Sequence, residues 1–256
     1  MLSEIIGVFI VIFSSAVLGS MIGVGGGFLI VPLLTLGLGI PIHNAIALSL
    51  LSIIAVASSA TVTYASSGYI DYKLGLILET TTVLGAFTGA RICILLSPSI
   101  LMITFGVLLI YVGYRMIKKI EFKEEAKLRE LPLNRLSAGI ISSFFAGLSS
   151  GLLGIGGGIL KVPIMVLILG IPTRVAIGTS EFMISITSAS GSYVYYKAGI
   201  LNTTLAGSAI IGGFLGAQLG SRLGIKIRVK LIRMIFGFIM LIFSMSMILR
   251  GLGIWI

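Results

Sequence analysis

The chain is poor in charge. Asp, Glu, Lys and Arg make up 10% of its 256 residues, against 57% hydrophobic residues. A soluble globular domain is about 25% charged, so this chain lacks the polar side chains to coat a surface in water. It also has one cysteine, one histidine, one tryptophan and one aspartate. A single cysteine, Cys93, excludes an intrachain disulfide and a cysteine metal cluster. A single histidine and a single aspartate exclude a histidine metal cluster and an aspartate pair. The neighbours Ser180 and Glu181 have no histidine base placed to complete a nucleophilic triad. No G-x-x-x-x-G-K-[ST] stretch occurs, which excludes ATP binding through that loop. Almost no catalytic inventory is left, and neither enzyme activity nor a cofactor or metal is expected.

What the chain does have is long apolar runs. Several reach the roughly 20 residues that cross a bilayer as a helix, and none shows the short alternating segments of a transmembrane barrel. The expected fold is an all-α polytopic membrane protein with about 8–10 transmembrane segments, some of them short, broken or hairpin helices. The opening "MLSEIIGVFIVIFSSAVLGS" has no basic n-region and no clear small-x-small cleavage site. It reads as a retained first helix and not as a signal peptide. The net charge of +10 belongs with cytoplasmic loops and anionic lipid headgroups, not with nucleic acid. Trp255 reads as an interfacial anchor.

The chain repeats itself at a shift of 131 residues. "GVGGG" at 23–27 falls on "GIGGG" at 154–158, Pro32 on Pro163, and "LGIP" at 38–41 on "LGIP" at 169–172. Ser49 meets Ser180, Tyr64 meets Tyr195, and Gly85, Gly89 and Arg91 meet Gly216, Gly220 and Arg222 without a gap. Two homologous membrane repeats, 1–118 and 132–256, are joined by a charged linker, 119–131. The wider stretch 115–135 is basic, which places it in the cytoplasm. Glu125 and Arg129 stand four apart within it, a spacing that suits a short surface helix.

Each repeat divides into five segments: 3–22, 28–38, 44–67, 72–96 and 98–118, then 134–153, 158–169, 174–196, 201–223 and 231–249. The second of each five has about 12 residues, roughly 18 Å of helix, too short for a hydrocarbon core of about 30 Å. Each is expected to turn back at its glycine cluster as a hairpin arm that ends inside the membrane at LGIP. Residues 222–233 hold five basic side chains where 91–102 hold only Arg91. An odd number of crossings per repeat puts both 222–233 and the linker inside, which favours an inverted repeat with both termini outside. A four-plus-four count makes the repeats parallel instead. Inverted repeats with broken helices belong to transporters, whose sites lie near the midplane at the repeat interface.

The paired "GVGGGFLIVPLL…LGIPIHNAIALS" and "GIGGGILKVPIMVLILGIPTRVAIGTS" resemble the sulfite exporter TauE/SafE family of membrane permeases. The resemblance spans essentially the whole chain. It implies a multipass plasma-membrane transporter for sulfur-containing anions such as sulfite, sulfonates or related organic acids. Which anion, and in which direction, does not follow from it. The oligomeric state is not legible either.

Candidate residues follow from the chemistry of an anion in lipid. Bare glycine amides form concave nests for anions, so Gly25, Gly26, Gly27, Gly156, Gly157 and Gly158 are candidate ligands; the same glycines also permit tight helix packing. Lys161, standing where the first repeat has Ile30, is a candidate to attract the anion, or else snorkels to the interface. Ser49, Thr179 and Ser180 have hydroxyls to donate, although such groups also bond their own helix. Glu181 and Glu79 are intramembrane carboxylates, candidates for proton coupling or for an ion pair with Lys161. His43 and Arg174 are equivalent positions after LGIP, read as opposite gates or as interfacial residues. Cys93 reads as inert packing, and the Gly85-x-x-x-Gly89 and Gly216-x-x-x-Gly220 faces read as helix contacts, with Gln218 beside one of them. The expected mechanism is alternating access around a small anion held between the two glycine hairpins. An anion channel lined by the same glycines is the rival, and a membrane scaffold ranks lower because no soluble domain reads out a signal.

Overall fold

The computed structural model describes residues 2–117, 132–226 and 230–254. The linker 119–131 and Trp255 lie outside them, as do residues 227–229 of the basic stretch. The described chain is helical, with no strand among the described residues. Ten helices follow in order. They are α1 (Leu2–Ile22), α2 (Gly27–Pro32), α3 (Ile42–Ser66), α4 (Tyr72–Leu95) and α5 (Pro98–Ile117), then α6 (Leu133–Leu153), α7 (Gly158–Pro163), α8 (Thr173–Lys197), α9 (Thr203–Lys226) and α10 (Lys230–Gly251). The five-segment division of each repeat is observed, with the short helices starting at Gly27 and Gly158, one residue earlier or at the expected position.

The short arms are not uniform α-helices. Each gives way after its proline to a π-helical turn, Leu33–Gly37 and Ile164–Ile168. Proline has no N–H and cannot make the i→i−4 bond, so the ladder widens there. The arm then ends at a glycine with positive φ, Gly39 (φ 68°) or Gly170 (φ 72°). Nothing along the chain signals this π geometry beyond the two prolines.

Exposed positions are apolar: Leu2, Ile10, Val62, Leu84, Phe145 and Leu219 are all half-exposed or more. Many buried positions are polar, among them Ser49, Thr82, Ser143, Thr187 and Glu181. This is the distribution of a chain whose outer solvent is hydrocarbon. Four of the described helices are long and apolar enough to cross a membrane by themselves: α1, α3, α4 and α6.

The two repeats interlock instead of standing side by side. The most extensive contacts are α4 on α6 and its counterpart α9 on α1, followed by α5 on α10. α3 packs on both α8 and α9, and α8 on both α3 and α4. Glycines set the closest approaches. Gly85 and Gly89 lie against the backbone of Phe144 and Leu148 on α6; their equivalents Gly216 and Gly220 lie against Phe13 and Val17 on α1. The most extensive contacts between unlike helices each have a counterpart in the other repeat. Equivalent helices also run antiparallel. Asn44 at the start of α3 bonds the Ile200 carbonyl beyond the end of α8, while Tyr69 beyond the end of α3 meets Gly178 near the start of α8. On α5 and α10, Gly106 lies beside Ser244 and Gly251 beside Ser99.

Side chains added at these contacts must overpack. Gly85→Val is expected to cost about 1–3 kcal/mol and lower the unfolding temperature in detergent. Gly207→Ala, where no atom lies within 4 Å of the added carbon, is the control and should leave it unchanged; equal stability of both variants would refute the packing account.

Candidate functional site

The two glycine clusters meet inside the protein. Gly26 (φ 82°) and Gly157 (φ 80°) cap α2 and α7 in the left-handed region that favours glycine. A Cβ on Gly27 would stand 2.7 Å from the Ile155 Cα, and one on Gly158 would stand 2.8 Å from the Val24 Cα. Each loop therefore needs a bare backbone because the other loop is there. Ile53 of α3 and Ile184 of α8, equivalent residues, close over the junction from both sides, against Gly25 and Gly156.

Symmetry fails at the hydroxyls. Ser49 Oγ donates to the Gly154 carbonyl at 2.6 Å across the junction. Its equivalent, Ser180, is fully buried and has no hydrogen-bond partner for its hydroxyl. The next residue, Glu181, is also fully buried, and neither carboxyl oxygen has a partner. The Gly25 N–H faces this carboxyl without reaching hydrogen-bond geometry, and Lys161 and Tyr64 lie within electrostatic reach. An unpaired charge at zero exposure is very costly, so the packing fits the neutral acid.

Lys161 sits on α7, four residues past the Gly157 cap, with its amino group fully enclosed. Its Nζ donates to Glu79 Oε2 at 3.1 Å and to Thr187 Oγ1. Thr187 Oγ1 also contacts Glu79 Oε1 and lies 3.0 Å from the Met183 carbonyl. Three elements, α4, α7 and α8, thus supply one closed ion pair with a shared hydroxyl. The equivalent positions are Ile210, Ile30 and Val56, so the cluster occurs once in a duplicated scaffold. Burial of both partners exchanges desolvation cost for mutual attraction.

The remaining sequence candidates fall elsewhere. Thr179 Oγ1 accepts the Asp71 N–H at 2.9 Å and fastens the α3–α4 loop. His43 Nε2 lies 3.2 Å from the carbonyls of Cys93 and Leu96, at the C-terminal end of α4. Arg174 Nη1 donates to Tyr69 Oη at 3.1 Å, with the guanidinium 5.7 Å from that ring. Because α3 and α8 run antiparallel, His43 and Arg174 stand at opposite ends of the bundle. Cys93 is buried.

Sequence reasoning passed over Thr187 and Arg250. Thr187 belongs to the hydroxyl-rich run "SITSAS" in α8, a signal that was present. Arg250 Nη1 donates to the Thr35 carbonyl at 3.0 Å and so caps the π-helical turn of the first arm. Beside it is a cleft of about 330 Å³ between that turn and α10.

The family model described as "Sulfite exporter TauE/SafE" matches residues 8–247. The chain belongs to that family. Among its relatives, "Probable membrane transporter protein YunE" of Bacillus subtilis is 30% identical over 255 residues, covering 91% of this chain and 93% of that protein. "Probable membrane transporter protein YdhB" of the same organism is 27% identical, covering 82% and 86%. "Probable membrane transporter protein MJ0441" of Methanocaldococcus jannaschii is 30% identical, covering 74% and 71%. No solved structure matches. This TauE/SafE chain is a multipass membrane transporter.

Within the TauE/SafE scaffold, the Lys161–Glu79 pair is the only ion pair found at full burial among the described residues. Removing one partner strands the other. Glu79→Ala and Lys161→Ala are each expected to destabilise by about 3–5 kcal/mol, whereas Lys161→Met combined with Glu79→Gln strands no charge and should cost much less. Denaturation in detergent measures this; singles and double of equal stability would refute the pairing.

Proposed function

We propose that this chain is a secondary transporter that carries a small sulfur-containing anion, such as sulfite, a sulfonate or a related organic acid, across the plasma membrane. Transport is coupled to protons and proceeds by alternating access. The observation that carries the proposal is the single charged cluster, Lys161 with Glu79 and Thr187, set beside the orphaned Ser180 and Glu181 where the two glycine loops touch. Duplicated membrane scaffolds keep an intramembrane charge where it serves transport. Lys161 is the electrostatic ligand for the anion. Ser180 is the hydroxyl ligand left free for it, since Ser49 and Thr179 are committed to backbone groups. Glu181 relays protons.

Repeats 1–118 and 132–256 form an inverted pair, supported by the antiparallel course of α3 against α8 and of α5 against α10. They move against each other about the glycine junction. The charged linker 119–131, within the basic stretch 115–135, then lies in the cytoplasm. His43 and Arg174, at opposite ends of the bundle, guard the two entrances. The sulfur anion rests on the family description; the site itself specifies only a small negative solute.

The test is uptake into proteoliposomes of a panel of sulfite, sulfonates and carboxylates, with and without a pH gradient. An inward proton gradient should drive uptake of a sulfur anion and of few carboxylates. A charge-assisted hydrogen bond contributes about 1.5–3 kcal/mol, so Lys161→Met with Glu79→Gln should cut uptake roughly 10- to 100-fold. Glu181→Gln should flatten the dependence of rate on pH. Normal uptake by the double variant removes Lys161 from the site, and an unchanged pH profile removes Glu181 from the proton path.

A further inference from the structure

We infer that the anion and Glu79 compete for Lys161, so that one proton enters the site with each negative charge and transport is electroneutral. This rests on the proposed anion-carrier reading and adds the stoichiometry to it.

Lys161 already has its counter-ion in place. Its amino group is enclosed, with Glu79 Oε2 at 3.1 Å and the Thr187 hydroxyl as its other partner. An anion that reaches Nζ meets a cation already paired with the Glu79 carboxylate. Three full charges within one enclosed pocket would leave a net negative charge away from water, which is the costly arrangement. The exchange that avoids it is balanced. The Lys161 ammonium paired with the Glu79 carboxylate, plus an anion and a proton, gives the ammonium paired with the anion and Glu79 as its neutral acid. One O–H bond forms on Glu79, no other covalent bond changes, and the cluster is neutral before and after. Thr187 Oγ1 contacts both Nζ and Glu79 Oε1, so its hydroxyl can turn to serve either state.

The groups that face this exchange are few. α7 supplies Lys161 and α8 supplies Thr187, with Glu181 acting on Lys161 from the same helix. α3 supplies Tyr64, which faces Glu181. α6, packed along α4, has no charged residue except Arg135 near its start. The equivalent site in the other repeat is apolar, with Ile30, Val56 and Ile210. One exchange site per chain follows, and hence one anion per cycle. Glu181 relays protons and returns to the same state, so it adds nothing to the net charge moved.

The experiment uses the full chain in proteoliposomes with methanesulfonate and sulfite as probes, a membrane potential set by potassium and valinomycin, and a pH-sensitive dye inside. Methanesulfonate is a permanent monoanion and brings no proton of its own. The wild type should take up one proton per methanesulfonate at a rate that does not change with voltage. Glu79→Gln should lose that proton and turn uptake voltage-driven, faster with the interior positive. The wild-type measurement decides alone if the variant fails to fold. A ratio of zero or two, or voltage-sensitive uptake by the wild type, overturns the exchange and leaves the carrier reading in place. No uptake of either probe overturns both.

Discussion

A backbone amide left unpaired in hydrocarbon costs several kcal/mol, so irregular chain at membrane depth must be enclosed by protein. That constraint governs this molecule. Two helices in each repeat are joined by an irregular glycine loop, and the two loops are pressed together inside the protein. Gly27 and Gly158 have room only for hydrogen because each faces the other's loop. Ile53 and Ile184 then close the junction on both flanks. The interlocked order of α1, α4, α6 and α9 follows, since the long helices must wrap the loops to keep them from lipid.

On this near-symmetric frame the chemistry is asymmetric. Where the first repeat has Ile30, Val56 and Leu50, the second has Lys161, Thr187 and Glu181. The partner of Lys161 comes from the first repeat, because α4 packs across onto α6 and α8. Exchange of the fourth helices between the repeats is therefore what brings Glu79 to Lys161. A scaffold with its repeats standing apart would leave both charges unpaired. Beside the junction the packing leaves Ser180 and Glu181 among the buried polar groups without a side-chain hydrogen-bond partner.

Much of the fold could be read from the residues. Composition specified a membrane protein, the 131-residue shift specified the duplication, and the short arms between GGG and LGIP stood out by length alone. Glycines at 85, 89, 216 and 220 marked helix contacts that the structure contains. The π-helical turns were not legible, because proline announces a disturbed ladder without saying how it is repaired. Of the site, Lys161, Glu79 and Glu181 were visible as charges out of place in apolar runs. Thr187 was not singled out, since a threonine in a helix is ordinary until a charge is seen against it. Arg250 is passed over for a similar reason: an arginine in the last turn of a helix is ordinary until its partner is seen.

The sequence by itself determined the solvent this chain lives in, its duplication, its broken helices and the few charges it carries into lipid. These are properties of composition and periodicity, local to each segment. Only the tertiary structure decided which charges meet. Glu79 and Lys161 are 82 residues apart, and Ser49 reaches the Gly154 carbonyl while Ser180 reaches nothing. Pairings of that kind depend on which helix crosses to which neighbour, and no local pattern along the chain encodes the crossing.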